Sequence, residues 1–167
     1  MQDSKLLVAG TISGQNNAIT GFNLATAGVT TTGVTQAPYS VDLNPGHQSG
    51  VDFGEGTPLY LKYLITATIT GASGLTVSII ADSAAAMNSG SGGAPLATLA
   101  SQNVSALTAG TFGYFQLPPQ IGLTGYEFLS AGFEALGSAV TAGSIVAEFT
   151  NVIDDPKKFY ASGFTVV

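Results

Sequence analysis

The chain has 167 residues, of which 8% are charged and 45% are hydrophobic, and its formal net charge is −6. Globular proteins average about 25% charged residues, so this composition predicts one folded domain with an unusually neutral surface and excludes a disordered chain. Arginine and cysteine are absent, which argues against nucleic acid or anionic membranes as partners and excludes disulfides and thiolate sites.

The first residues do not resemble an export signal. Asp3 precedes a short apolar run at Leu6–Ala9, whereas a secretory signal needs a positively charged start and a longer apolar region. No stretch reaches 18 apolar residues, so we expect no transmembrane helix. The expected product is a protein that is made in the cytoplasm and is not exported.

Short runs of β-branched and aromatic residues alternate with Gly, Pro, Asn and Ser along most of the chain, a pattern typical of an antiparallel sandwich or barrel. The predicted fold class is all-β, a jelly-roll-like antiparallel β-sandwich with an extended N-terminal arm or loop and a C-terminal tail. An eighth strand is expected at Lys5–Ala9 or Phe164–Val167. The other seven are Ser40–Leu43, Leu59–Thr70, Leu75–Ala81, Pro95–Ser101, Phe112–Leu117, Tyr126–Ala135 and Ser144–Thr150.

The clearest local prediction is a hairpin. Ile65, Ala67 and Ile69 alternate with threonines at the end of the long strand, and a second alternating run begins at Leu75. The sequence between them, residues 71–74, reads Gly-Ala-Ser-Gly, which is typical of a turn. A helical turn is then predicted at Ser83–Met87, with Asp82 as its cap.

Composition divides the chain into three parts: an N-terminal strand and arm (1–39), a core (40–150) and a tail (151–167). Gly10–Pro38 has no charged residue and admits two interpretations, an arm that lies on a neighbouring subunit or a long loop with weak strands. The tail is expected to dock on another surface, because its large apolar residues would be costly to expose.

Candidate chemical sites are few. His47 is the single histidine and lies in a Pro-Gly turn, so a catalytic triad lacks support and an exposed loop histidine is the simpler interpretation. An ion site formed by Asp42, Asp52 and Glu55 would not follow the EF-hand pattern; the alternative is that the aspartates accept hydrogen bonds from turn amides. We therefore expect no enzyme activity, no cofactor and no bound metal.

Other features have structural explanations. Gly54-Glu55-Gly56 precedes a strand and not a helix, so it does not form a phosphate loop. The strand aromatics are interpreted mostly as core; an exposed row of them would instead support a carbohydrate-binding module in host recognition, which the lack of tryptophan weakens. A cupin-type enzyme would need several metal-binding histidines. The strand aromatics are Tyr60, Tyr63, Phe112, Tyr114, Phe115, Phe128 and Phe133.

Residues 39–70 read YSVDLNPGHQSGVDFGEGTPLYLKYLITATIT. This segment resembles the Bbp16-type family of phage capsid cement proteins, in which a short Val/Ile-Asp-Leu strand, a Gly-rich acidic turn and Gly-x-Gly-x-Pro-Leu-Tyr-Leu lead into a long strand. Similar features follow at residues 75–82, 117–119 and 140–143, so the resemblance covers about residues 40 to 150. The long segment before residue 39 and the tail after Asn151 depart from the family pattern.

The resemblance implies a jelly roll on the outer face of an HK97-like tailed-phage capsid, where it would bridge adjacent major capsid proteins and stabilise the shell. The expected partners are the major capsid protein and the chain itself, as a dimer or trimer, with no nucleic acid and no membrane. Asp154 and Lys157 are interpreted as a solvated turn or an inter-subunit charge pair. The predicted interface residues are Asn16, Asn17, Phe22, Tyr39, His47, Asp52, Glu55, Asp154, Lys157, Phe159, Tyr160 and Phe164.

Overall fold

A computed structural model of the chain describes residues 6–12, 19–43, 58–85, 94–98, 102–103, 107–117 and 127–151. Within these ranges every regular element is a β-strand. The strands are β1 (Leu7–Ala9), β2 (Thr11–Ile12), β3 (Ile19–Thr20), β4 (Phe22–Asn23), β5 (Thr35–Gln36), β6 (Val41–Asp42), β7 (Tyr60–Thr70), β8 (Gly74–Asp82), β9 (Ala94–Thr98), β10 (Gln102–Asn103), β11 (Phe112–Gln116), β12 (Phe128–Leu136) and β13 (Ala142–Thr150).

Two antiparallel sheets contain eleven of these strands. The first sheet has the order β1–β13–β7–β11, and β4 also pairs with β13. The second has the order β10–β8–β12–β5, with β9 pairing to β8 and β6 pairing to β12. The remaining two strands, β2 and β3, form a small separate sheet.

The core lies between the two sheets. The long strands bury alternate side chains, among them Leu61 and Ile65 of β7 and Val77 and Ile79 of β8, all within 1% of full burial. Alternation of this kind places one face of each sheet against the other. The predicted all-β antiparallel sandwich is therefore confirmed.

The strand order follows a nested pairing. At three edges, two short strands lie one after the other along the same neighbouring strand: β1 and β4 along β13, β5 and β6 along β12, and β9 and β10 along β8. If each of these pairs is counted as one strand, the two sheets contain eight strands, numbered 1 to 8 in chain order. The first sheet then takes positions 1-8-3-6 and the second takes 2-7-4-5. Position 1 pairs with 8, 2 with 7, 3 with 6, and 4 with 5.

The predicted hairpin between β7 and β8 is wrong. β7 pairs with β13 and β11 in the first sheet, whereas β8 pairs with β12 in the second. The turn between them is an arch that carries the chain across the core, and the side chain of Ala72 is buried inside it. Gly71 adopts a φ of +95°, and a Cβ there would lie 2.7 Å from the carbonyl oxygen of Ala139 in the neighbouring arch.

The chain after β8 does not begin a helix in its described part. Residues 83–85 form a bend, in which the Asp82 carboxylate accepts hydrogen bonds from the Ala84 amide (3.2 Å) and the Ser83 hydroxyl (3.3 Å). The expected capping contact is thus present without the helical turn, and the rest of that turn lies outside the described residues.

The described part of the Gly10–Pro38 segment belongs to the sandwich of its own chain. Leu24 and Val29 are completely buried in the core, and Ala37 is nearly so. Gly21 lies against Thr66 and Ser144 on the outer face of the first sheet. These contacts fit the interpretation of a long loop with weak strands.

Candidate interaction surface

Among the described residues, the most exposed ones are all uncharged, and the charged ones are only partly exposed. Each described residue classed as exposed is Thr, Ser, Asn, Gln, Tyr, Ile, Pro, Ala or Gly. Threonines are prominent on it, among them Thr66, Thr68 and Thr70 along β7. Most soluble domains keep about a quarter or more of their surface residues charged, so this surface is suited to contact with other protein surfaces.

The charged residues in the described ranges are all partly buried. Lys62 of β7 and Glu148 of β13 face each other in register and form an ion pair of 3.6 Å, with side chains 16% and 15% exposed. This pair is on the outer face of the first sheet and is neutral as a unit. The other described acidic residues are Asp42, Asp82, Glu127 and Glu134.

The candidate ion site receives no support within the described ranges. Asp42 is half-buried on β6, where it stands in register with Phe128 of β12. No group of three or more His, Asp or Glu side chains in the described part of the chain is arranged to hold a metal ion. Asp52 and Glu55, the other predicted members, lie outside the described residues, as does His47.

Two of the predicted interface residues can be located. Phe22 is half-buried, and its ring centroid is 6.0 Å from that of the core residue Phe133, so it serves this chain's own packing. Tyr39 is 49% exposed. The predicted interface residues outside the described ranges are Asn16, Asn17, His47, Asp52, Glu55, Asp154, Lys157, Phe159, Tyr160 and Phe164.

Tyr39 presents its side chain from a well-anchored backbone. Its amide donates to the Val8 carbonyl at 3.1 Å, and its own carbonyl accepts from the Ser130 hydroxyl at 2.7 Å. Ser130 is completely buried on β12, whereas Val8 belongs to β1 in the other sheet. These two bonds tie the loop that carries Tyr39 to both sheets.

The sequence interpretation missed a second exposed tyrosine. Tyr114 of β11 is 46% exposed, and its ring makes an edge contact with Tyr60 at a centroid distance of 6.3 Å. By contrast, Tyr63 and Phe133 are core residues, as predicted. Alternation within β11 contained the signal, because its outward set ends in the polar Gln116.

No protein-family model matches the sequence, and no curated protein matches it significantly. Among the described residues no helix has the length and apolar character needed to span a membrane.

Proposed function

We propose that the chain is a structural capsid cement protein of the Bbp16 type, which decorates the outer surface of a tailed-phage capsid and bridges adjacent major capsid proteins. The observation that supports this function most directly is that every fully exposed residue in the described part of the chain is uncharged. The resemblance of residues 40 to 150 to the cement family supports the specific location, the outer surface of a tailed-phage capsid. Function would reside in contact area and not in a catalytic site.

A neutral surface favours the extended contacts that a cement protein needs. Burying a charge without a partner costs several kcal/mol, whereas threonine hydroxyls and backbone groups can be paired or left partly hydrated at smaller cost. The interiors of protein interfaces are correspondingly depleted of charged residues. Repetition of modest contacts over a symmetric shell then multiplies their effect.

The strand order supports the jelly-roll part of the proposal. A jelly roll has eight strands in two sheets, and winding one long hairpin into a sandwich pairs strands 1 and 8, 2 and 7, 3 and 6, and 4 and 5. The two sheets of this chain, with positions 1-8-3-6 and 2-7-4-5, have that pairing.

Electrostatics are consistent with a location outside the shell. A chain with net charge −6 and no arginine has little affinity for packaged DNA, because nucleic-acid binding depends on cations that neutralise phosphates. The same chain would reach the shell through neutral contacts, so its binding should vary little with salt concentration.

The deciding experiment mixes the purified protein with shells of its own phage that lack it, and then sediments the shells. We expect co-sedimentation at a saturating number of copies that matches a two-fold or three-fold position of the shell. Two variants, Thr68→Glu and Tyr39→Glu, each place a charge at an exposed uncharged position. The variant that weakens shell binding identifies the face of the sandwich that contacts the shell. Protein that remains in the supernatant at all concentrations would overturn the proposal.

One observation favours a second candidate, a carbohydrate-binding module in host recognition. Tyr60, Tyr114 and Gln116 present aromatic and amide groups on one face of the first sheet, and Tyr114 is well exposed. Sugars commonly bind to such combinations of aromatic ring and amide. Glycan-array binding that is lost in Tyr114→Ala would support this function over the first.

A further inference from the structure

Strand β11 forms one edge of the first sheet in the part of the chain that the structure describes. Its five residues pair with β7 from Phe112 opposite Leu64 to Gln116 opposite Tyr60, and its other side has no strand partner among the described residues. An edge of this kind presents a row of backbone donors and acceptors that can accept another strand.

The hydrogen-bond alternation identifies the groups that point outward. The Leu117 amide donates to the Leu59 carbonyl at 2.8 Å, and the Ile65 amide donates to the Thr111 carbonyl at 2.8 Å. Because bonded residues alternate along an antiparallel pair, residues 111, 113, 115 and 117 bond to β7. The backbone groups of Phe112, Tyr114 and Gln116 therefore face away from the sheet.

The β11 edge lacks the features by which proteins normally block such strands. It contains no charged residue and no proline, and its register with β7 is unbroken. The other three edge positions are each divided between two short strands, and β9 also contains Pro95 and a register shift. Natural edges are usually interrupted in those ways to prevent pairing, so the continuous β11 edge stands apart.

We propose that β11 is a homodimer interface, at which a second copy of the chain adds its own β11 in antiparallel orientation about a two-fold axis through Tyr114. This register places Phe112 opposite Gln116 of the second copy and Tyr114 opposite its own equivalent. All three outward-facing residues then exchange both backbone hydrogen bonds with the second copy. A register shifted by two residues would leave one of the three without a partner.

The absence of charge along β11 favours a second copy of the chain as the partner that pairs with this edge. Two chains of net charge −6 repel each other at long range, and a neutral contact adds no local repulsion to this. β11 has no charge, and the nearest charges described beside it, Lys62 and Glu148, already neutralise each other. A charged strand from another protein would meet no opposite charge along β11. A second copy of β11 is itself uncharged and needs no opposite charge.

The outer face of the joined sheet would be continuous across the seam. Tyr114 is on the outer face together with Lys62, since β7 buries the alternate set that contains Leu61 and Tyr63. The two Tyr114 rings would thus meet as a cross-strand aromatic pair, which stabilises antiparallel pairing. The edge contact between Tyr60 and Tyr114 would extend this aromatic row on each side.

Cysteine cross-linking tests the register directly, because the chain contains no cysteine. In the proposed dimer the two Tyr114 Cα atoms are about 5.5 Å apart, within the range that a disulfide can bridge. Tyr114→Cys should form a disulfide-linked dimer on mild oxidation. Tyr39→Cys replaces a tyrosine of similar exposure away from β11 and should remain monomeric on a denaturing gel.

Sedimentation of the full chain without shells provides the second measurement. We expect the wild type to dimerise, Tyr114→Lys to weaken dimerisation about tenfold or more through the like charges across the axis, and Tyr39→Lys to match the wild type. A monomeric wild type would overturn the proposal. Equal effects of the two substitutions on dimerisation would overturn it as well. Shell binding does not enter this test, so its outcome is independent of the cement function.

Discussion

The ring of Tyr63 occupies the space in which a side chain at Gly113 would lie. A Cβ on Gly113 would be 2.5 Å from the Tyr63 hydroxyl oxygen and 2.6 Å from Cζ. The two residues stand in register on β7 and β11, and Tyr63 is buried. The glycine thus allows a bulky aromatic ring to lie across the inner side of the edge strand.

Gly113→Ala should destabilise the fold by about 1–3 kcal/mol, because the ring and the new methyl group cannot both keep their positions. In a Tyr63→Ala background the same substitution should cost much less, since the obstructing ring is gone. Urea unfolding of the four proteins at one protein concentration measures the coupling. Additive effects of the two substitutions would show that the close approach has no energetic consequence.

Stability should fall at high pH because burial raises the pKa of Tyr63 above its usual value of 10.0. The native state then holds this proton at pH values where the unfolded chain has lost it, so the stabilisation is complete below pH 10 and is lost as the pH rises through the raised pKa. Tyr63→Phe should lose less stability than the wild type between pH 9 and the raised value. Equal pH slopes in urea unfolding would contradict this assignment.

Lys62→Met should cost about 1–2 kcal/mol, because Glu148 would keep a charge that is largely removed from water and has lost its partner. The double variant Lys62→Met, Glu148→Leu should recover most of that loss. Thermal unfolding at low and high salt provides the measurement, and screening should reduce the cost of the single substitution. A double variant as unstable as the sum of the two single variants would contradict the pairing.

Ser130→Ala should cost about 1 kcal/mol, since it removes the 2.7 Å bond to the Tyr39 carbonyl. Ser78→Ala is a matched control, because Ser78 is also buried on the second sheet but donates over a longer distance, 3.3 Å to the Gly132 carbonyl. Hydrogen exchange should show faster exchange of the Tyr39 amide only in the Ser130 variant. Equal behaviour of both variants would indicate that the Tyr39 loop is held by other contacts.

Most of the sandwich strands could be predicted from sequence, because apolar alternation and Gly/Pro breaks mark a strand whatever it pairs with. The partner of each strand could not. Alternation in β7 and β8 is the same for a hairpin within one sheet and for an arch between two, and only the arch is observed. The register irregularities along β7 and β13 were equally hidden, so Ala67 was assigned to the same face as Ile65 but is exposed.

The candidate site was less accessible to sequence reasoning. Tyr39 was one of the predicted interface residues, and it is exposed in the structure. Tyr114 was grouped with the core aromatics, although its alternation with the polar Gln116 indicated the side that faces water. An edge position depends on pairing with distant strands, and no local pattern in Phe112–Gln116 encodes that.

The nested strand order has a consequence for how the protein is made. In each sheet an early edge position is joined to the other strands by one of the last two strands that the structure describes, β13 in the first sheet and β12 in the second. A growing polypeptide that has not yet passed β11 therefore lacks the strand that joins the early edge strands to either sheet. Closing the sandwich therefore requires contacts between strands far apart in the sequence, and such long-range contacts slow folding.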